Sequence, residues 1–191
     1  MKKLRFIAIF LILISFLALS GCGKKVTQNV QAVIDVQGYG SMTFELCYDK
    51  APITVQNFVD LAEDGFYDGI IFHRIIKDFV VQAGDPTGTG FGGSDETIKG
   101  EFIANGVDND LAHVKGVLSM ARAQDYDSAS SQFFICTATN DTVSYSLDGM
   151  YAAFGYMLDG EDVLDAMNNA QTDPNDRPIN NIVINSITIV K

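Results

Sequence analysis

Short apolar runs separated by turn residues make up most of this sequence, and strands and helices do not alternate regularly along it. Segments 30–36 (VQAVIDV) and 41–47 (SMTFELC) each alternate apolar and polar residues, and the turn signal GYG lies between them. A parallel α/β sheet would need a helix after each strand. We therefore expect a mainly β domain with antiparallel strands.

About eight strands and two helices are predicted in total. The further strands are expected within IIFHRII, FVVQAG, KGVLSMA, QFFICT, AAFGYML and INNIVINSITIVK. The helices are expected in PITVQNFVDLAEDG, with Thr54 as the N-cap and Gly65 as the stop, and in EDVLDAMNNA. Eight strands can close a barrel whose interior is just filled by side chains. We expect a closed eight-stranded antiparallel β-barrel.

The first residues have the pattern of a secretory signal: a basic start followed by an apolar run over 6–19. That run is short for a membrane span, which needs about 20 residues. It ends in LSGC, which resembles the bacterial lipobox and predicts a lipid on Cys22. The alternative is ordinary signal cleavage beside an incidental cysteine. With the lipid, the protein would be extracytoplasmic and anchored to a bacterial membrane.

Three segments follow from this pattern: a lipoprotein signal peptide at 1–21, a lipidated N-terminus and short linker at 22–28, and one domain at 29–191. Removal of 1–21 takes three positive charges away, which changes the formal net charge from −11 to −14. So acidic a chain, with no basic stripe, is not expected to bind nucleic acid. The charge also disfavours electrostatic membrane binding, so the lipid must provide the anchor.

Cysteine and histidine are scarce in the predicted domain. Cys47 and Cys136 lie in apolar strand segments, so we expect two buried free thiols, although an extracytoplasmic location also permits a disulfide. There is no C-x-x-C spacing, and His73 and His113 are far apart in sequence. No metal site is predicted.

The stretch GTGFGG, residues 88–93, matches the G-x-G-x-x-G pattern of dinucleotide sites. In such sites the third glycine opens a helix, but SDETIKGEFIANG follows here and has no helical apolar stripe. We expect no nucleotide and no other cofactor. The glycines are instead expected to let a surface loop turn tightly and lie close to the barrel.

The most specific pattern begins at residue 67 with YDGIIFHRIIKDFVVQAG and continues through GDPTGTGFGG, GVLSMARA, SQFFICTA and LDGMYAAFG. This order of motifs resembles the cyclophilins, a family of peptidyl-prolyl cis-trans isomerases, over residues 29–191. The resemblance implies an eight-stranded antiparallel barrel capped by two α-helices. It also implies an isomerase that acts on X-Pro bonds and assists the folding of extracytoplasmic proteins.

Two other functions are compatible with parts of the sequence. The same barrel could hold proline-containing segments as a chaperone or scaffold with little turnover. The lipobox alone would suit a solute-binding lipoprotein, although those are usually larger and two-lobed. In every case the expected partners exclude nucleic acid, and we expect a monomer.

Rotation about an X-Pro bond needs no nucleophile and no cofactor, only a site that favours the twisted amide over the planar one. The resemblance places the family's catalytic arginine at Arg74, whose guanidinium can donate to the prolyl nitrogen. By the same resemblance, Phe79 and Gln82 complete the catalytic group. The substrate-binding positions implied by the resemblance are Val80, Ala121, Arg122, Gln132, Phe134, Leu147 and Tyr151.

The remaining polar residues are assigned to the structure rather than to the reaction. His73 is expected to be a structural or pocket-wall residue, because the rotation needs no base. We expect His113 at the surface or at a strand end, and Asp85 on the solvated surface. Ser146 stands near the position where well-studied eukaryotic members carry a tryptophan that helps bind cyclosporin.

Overall fold

The computed structural model describes residues 25–139 and 146–190. The predicted signal peptide and Cys22 lie outside the described residues, as does most of the segment TNDTVSYS that precedes Leu147. Eight strands and two α-helices form within the described ranges. The strands are β1 (Val30–Val36), β2 (Gly40–Leu46), β3 (Arg74–Ile76), β4 (Val80–Ala83), β5 (Val117–Met120), β6 (Phe133–Cys136), β7 (Ala153–Asp159) and β8 (Ile184–Val190), and the helices are α1 (Pro52–Glu63) and α2 (Glu161–Asn168).

All eight strands belong to one antiparallel sheet in the order β3-β4-β6-β5-β7-β2-β1-β8. Strands β1 and β2 form the hairpin that the alternating sequence predicts, with Val30 opposite Leu46 and Val36 opposite Gly40. Every second residue of β1 is fully buried, because successive side chains of a strand point to opposite faces. The mainly β prediction is confirmed.

The expectation of a closed barrel is wrong, because β3 and β8 stand at the two ends of the sheet order and share no ladder. Just before these strands the chain makes one isolated antiparallel bridge, between Ile71 and Val183. The next outward-facing donor on β3, the backbone N–H of Ile75, goes instead to the carbonyl of Asp176 at 2.7 Å. The loop that carries Asp176 therefore takes the place of a partner strand, and the sheet stays open.

Helix α1 begins at Pro52, so Thr54 is not its N-cap. The first backbone N–H groups of a helix have no partner within the helix. Here the buried carboxylate of Glu101 accepts them, from Ile53 at 3.1 Å and from Thr54 at 2.8 Å, and it also accepts the Thr54 hydroxyl at 2.7 Å. The helix ends before Gly65, whose φ of +70° suits a residue without a Cβ.

The core lies between the concave face of the sheet and α1. Phe58 of α1 packs against the rings of Tyr67, Phe133 and Phe154, with centroid distances of 5.1–5.5 Å. Aromatic contacts of this kind dominate core energetics because each ring removes a large apolar area from water. These contacts attach the helix to β6 and β7 in the middle of the sheet.

Cys47 and Cys136 are buried and free, as expected. Burial raises the pKa of the Cys47 thiol to about 11 and that of Cys136 to about 12. Among residues 25–139 and 146–190, no three His, Cys, Asp or Glu side chains gather into a group that could hold a metal ion. Over the same residues, no helix has the length and apolarity to cross a membrane.

Candidate active site

A cavity of about 210 Å³ opens on the sheet where the β3–β4 hairpin approaches β5, β6 and the segment before β7. Nine side chains line it, and all nine are among the ten predicted site residues. They are Arg74, Phe79, Val80, Gln82, Ala121, Arg122, Phe134, Leu147 and Tyr151. The tenth, Gln132, lines a neighbouring cavity. The structure therefore brings together residues that are up to 77 positions apart in the chain.

Arg74 and Gln82 face each other across the β3–β4 hairpin, since they are a directly opposed pair in the register. The Arg74 side chain is 43% exposed, and its Nε lies 3.8 Å from Oδ2 of Asp176. Gln82 donates from Nε2 to Oε1 of Gln132 at 2.9 Å. The guanidinium thus stays available to a ligand, while Gln82 is oriented by Gln132, the residue before β6.

The opposite wall of the cavity is apolar. Val80, Phe134 and Leu147 are buried in a small hydrophobic cluster that is separate from the main core, and Phe79 and Tyr151 pack against it. The rings of Phe134 and Tyr151 meet edge to face at 5.8 Å. The site therefore combines an apolar surface with the guanidinium groups of Arg74 and Arg122.

His113 is buried behind the apolar wall and packs against Phe134. The expectation that it lies at the surface or at a strand end is therefore wrong. It is almost completely buried and lies parallel to the Phe134 ring, with centroids 6.0 Å apart. Its Nδ1 is 2.8 Å from Oδ1 of Asp148 and its Nε2 is 2.9 Å from the Ser119 hydroxyl. Burial lowers the pKa of His113 below its ordinary value, although the hydrogen bond to Asp148 acts in the opposite direction.

Arg122 joins two loops at the edge of the cavity. Its Nε donates to the carbonyl of Met150 at 3.1 Å, and an η nitrogen donates to the carbonyl of Ala123 at 2.9 Å. The guanidinium carbon lies 4.6 Å from the ring centroid of Tyr151 and 4.9 Å from that of Tyr126. Cations in this position are attracted by the ring face. These contacts give Arg122 a structural role that the sequence did not reveal, beside its predicted role in substrate binding.

Asp85 is buried beneath the glycine stretch and accepts hydrogen bonds from its backbone, so the expectation of a solvated surface position is wrong. It is 1% exposed and accepts the backbone N–H groups of Thr87, Thr89 and Gly90 at 2.7, 3.0 and 2.6 Å. Burial by itself raises the pKa of a carboxyl group. At Asp85 these hydrogen bonds outweigh burial and hold the pKa well below its usual range.

The stretch 88–93 is a tight loop packed on the sheet, as the sequence predicts. Gly88 and Gly90 have φ values of +63° and +87°. A Cβ at Gly92 would overlap the Asp85 carboxylate. Gln132 fastens the loop from the other side by donating from Nε2 to the carbonyls of Gly90 at 3.0 Å and of Gly92 at 2.7 Å.

A second cavity, of about 480 Å³, lies between this loop and the segment before β6. It shares Gln82, Ala121 and Arg122 with the first cavity, so the two cavities adjoin each other. Its remaining lining comes from residues 90–94, from Ala123, and from Ser128, Ser130 and Gln132. An extended ligand can therefore occupy both cavities.

His73 is buried next to Arg74 and lines neither of the two cavities. Neither of its ring nitrogens has a hydrogen-bond partner among the described residues. Burial lowers the pKa of His73, although the charge of Asp85 acts against this. A neutral ring in this place agrees with the structural role predicted for it.

Comparison with known proteins gives a consistent result. The family model "Cyclophilin type peptidyl-prolyl cis-trans isomerase/CLD" matches residues 32–189. The Arabidopsis thaliana peptidyl-prolyl cis-trans isomerase CYP18-2 is 43% identical over 146 residues, which are 76% of this chain and 85% of that protein. A Staphylococcus saprophyticus protein is 38% identical over 176 residues, covering 80% of this chain and 88% of its own length.

A solved structure shares the fold as well. It is the Cryptosporidium parvum cyclophilin type peptidyl-prolyl cis-trans isomerase crystallised in the presence of the dipeptide Ala-Pro. The TM-score is 0.75 at 34% sequence identity, and the match covers 84% of this chain and 99% of that one. The likeness extends over nearly the whole described part of the chain.

Proposed function

The chain belongs to the cyclophilin family of peptidyl-prolyl cis-trans isomerases, and from this premise we propose how its site carries out the isomerisation and where the protein acts. The reaction is rotation about an X-Pro bond, whose barrier of about 18–20 kcal/mol comes from amide resonance. A catalyst must therefore bind the twisted amide more tightly than either planar isomer. Roughly 7 kcal/mol of such differential binding gives about 10⁵ in rate.

The observation that carries the mechanism is the position of Arg74 opposite an apolar wall in a cavity of about 210 Å³. The proline ring lies against Phe79, Phe134 and Leu147, where it is removed from water. As the amide twists, the prolyl nitrogen becomes pyramidal and its lone pair becomes a hydrogen-bond acceptor. Arg74 then donates an N–H to that nitrogen, an interaction that a planar amide does not allow. The arginine therefore stabilises the transition state selectively.

The polar edge of the cavity holds the substrate backbone. Gln82, oriented by its hydrogen bond to Gln132, has an amide that can meet a peptide group beside the proline. Ala121 and Arg122 lie where the two cavities join, and their backbone groups and side chains bound the path of the polypeptide. Holding the flanking peptide in this way keeps the proline ring still while the preceding carbonyl rotates.

The place of action is proposed from the N-terminus. A lipid on Cys22 would attach the mature chain to a bacterial membrane on its extracytoplasmic side. The first described residues already belong to the domain, because Val26 is buried and its N–H donates to Oε1 of Gln56 on α1 at 2.7 Å. Four residue steps separate Cys22 from Val26, which reach at most about 14 Å. The isomerase would thus act as a monomer close to the membrane surface, on proline-containing segments of secreted proteins.

Substitution of Arg74 tests the mechanism. We expect the chain to accelerate the cis-to-trans conversion of a short X-Pro peptide, and Arg74→Ala to lower kcat/KM by about 10²–10³-fold, as loss of a transition-state donor does. Arg74→Lys is the matched control, since it keeps the charge and loses the planar fork. It should recover only a small part of the rate.

Two results would contradict the mechanism. Full activity in Arg74→Ala would remove the arginine from the reaction. Tight peptide binding by the unsubstituted chain without any acceleration would leave a proline-binding module instead of an enzyme. An unchanged unfolding midpoint in both variants shows that the fold is intact.

Membrane attachment is tested by expressing the full chain in a bacterium with Cys22 or with Cys22→Ser. The unsubstituted chain should sediment with membranes and carry a lipid on residue 22, detectable as a mass increase after removal of 1–21. The variant should lose both properties. If Cys22→Ser remains in the membrane fraction, the lipid is not the anchor.

A further inference from the structure

Phe91 is the most exposed large apolar side chain among the described residues, at 96%. It stands in the middle of the glycine loop and lines the 480 Å³ cavity beside the proline site. A phenylalanine removes about 150–250 Å² from water when it is packed, so its position forgoes a large stabilisation of the fold. Nothing in the packing of the domain accounts for an aromatic residue at this point.

The exposure of Phe91 is imposed by the backbone on both of its sides. The N–H of Gly90 is held by Asp85 at 2.6 Å, and the carbonyls of Gly90 and Gly92 are both held by Nε2 of Gln132. The N–H of Phe91 itself donates to the Thr89 hydroxyl at 3.3 Å. The ring is therefore presented by a fixed loop, and a ligand that contacts it does not have to order the loop first.

The surroundings of Phe91 are polar, so the ring is a single apolar contact at a defined place. Four polar residues line the cavity together with Phe91. They are Ser94, which follows the glycine stretch, and Ser128, Ser130 and Gln132 from the segment before β6. The cavity joins the proline site through Gln82, Ala121 and Arg122. A polypeptide with its proline opposite Arg74 can extend across these residues, and the side chain of a flanking residue then reaches the ring.

We propose that Phe91 is a specificity-determining residue, which packs against an apolar side chain flanking the proline of the substrate. The proposal rests on the isomerase function described above and adds a preference to it. Substrates with a leucine or a phenylalanine near the proline are bound more tightly than those with a polar residue there. The contact is made in the ground state and in the transition state alike, so it lowers KM and leaves kcat unchanged.

The test compares peptides that share one X-Pro core and carry either leucine or serine two or three residues from the proline, on one side or on the other. The full-length chain in detergent micelles is assayed beside Phe91→Ser and Phe91→Leu. We expect the unsubstituted chain to prefer leucine by about tenfold in kcat/KM at one of these positions, the lower end of what one apolar group contributes in a substrate pocket. The position identifies which side of the proline occupies the second cavity.

Phe91→Ser should reduce this preference to less than about twofold, through KM alone, and should act on an unflanked dipeptide as fast as the unsubstituted chain. Phe91→Leu is the matched control and should keep most of the preference. A preference that survives in Phe91→Ser would overturn the proposal, and so would an equal loss of activity on every peptide. A change in oligomeric state of Phe91→Ser, measured by sedimentation, would show instead that the ring contacts a second copy of the chain.

Failure of the proposed function has a different signature. If none of the three proteins isomerises any peptide, the proposed isomerase mechanism is wrong. The binding preference can still be measured by titration calorimetry with the same leucine and serine peptides. Equal affinities there would overturn the role of Phe91 independently of turnover.

Discussion

Replacing Asp85 with asparagine tests whether one buried carboxylate shapes the loop that lines the second cavity. The substitution keeps the size of the side chain and changes one acceptor oxygen into an NH₂ group. Oδ1 of Asp85 accepts the N–H and the hydroxyl of Thr87, and Oδ2 accepts the N–H groups of Thr89 and Gly90. Whichever way the amide turns, at least one backbone N–H then faces another donor.

The expected loss of unfolding free energy follows from these hydrogen bonds. A hydrogen bond to a charged group contributes about 1.5–3 kcal/mol, and a buried donor left without a partner costs about 1–3 kcal/mol. Asp85 is 1% exposed, so water cannot replace the lost acceptor. We expect Asp85→Asn to lower the free energy of unfolding by about 2–4 kcal/mol. The loop should also lose its fixed geometry, which predicts a weaker peptide preference through Phe91.

Urea unfolding followed by circular dichroism measures the change, with Asp95→Asn as the control, because Asp95 is an exposed acid in the next segment. The control should leave the unfolding midpoint unchanged. A loss below about 0.5 kcal/mol in Asp85→Asn would refute the reasoning, because such a value is typical of a solvated surface residue.

The pH dependence supplies a second check. The pKa of Asp85 is lowered in the folded chain, so its carboxylate stabilises the fold fully above the unfolded pKa of about 3.9. That contribution is lost as the pH falls through the lower folded pKa. The difference in stability between the unsubstituted chain and Asp85→Asn should therefore be constant near neutral pH and shrink below about pH 4. A difference that grows on acidification would contradict the assignment.

Two further predictions concern the rest of the fold. Glu101→Gln should destabilise the chain by about 1–3 kcal/mol in the same urea assay, because one of the two oxygens that accept the first N–H groups of α1 is lost; an unchanged midpoint would show that water caps the helix instead. In the Cys22→Ser chain, Cys47 and Cys136 should not react with a thiol reagent at pH 8 until urea unfolds the protein. The reason is that burial raises the pKa of the two thiols, to about 11 and about 12. Rapid reaction of either thiol in the native state would refute this prediction.

The strands could be predicted from local sequence patterns, and the residues of the site from the resemblance to a known family. Segment 30–36 forms β1 over its full length, because alternation of apolar and polar residues suits only a half-buried strand. Arg74 and Gln82 were assigned through the resemblance of the motif YDGIIFHRIIKDFVVQAG to the cyclophilins, and the structure places them opposite each other in one hairpin. The apolar wall was likewise assigned through the resemblance, since an apolar residue in a strand motif would by itself more often belong to the core.

His113 and Asp85 show where local sequence patterns are insufficient. His113 has no adjacent residue that marks it as buried, and its partners Ser119 and Asp148 follow 6 and 35 positions later. Asp85 resembles a surface acid until the loop folds back over it and supplies its hydrogen-bond donors. An ionisable residue is recognised as structural only when its partners are known.

Tertiary structure alone decided how the sheet ends and how α1 begins. The strand count allowed a closed barrel, but the carbonyl of Asp176 accepts the N–H of Ile75, and β3 and β8 do not pair with each other. Thr54 has the residue type of an N-cap, yet Glu101, 47 positions later, accepts the helix donors. In both cases the local sequence offers several partners for a backbone group. The one that binds is set by which distant segment packs there against the core, because a buried backbone donor must find some acceptor.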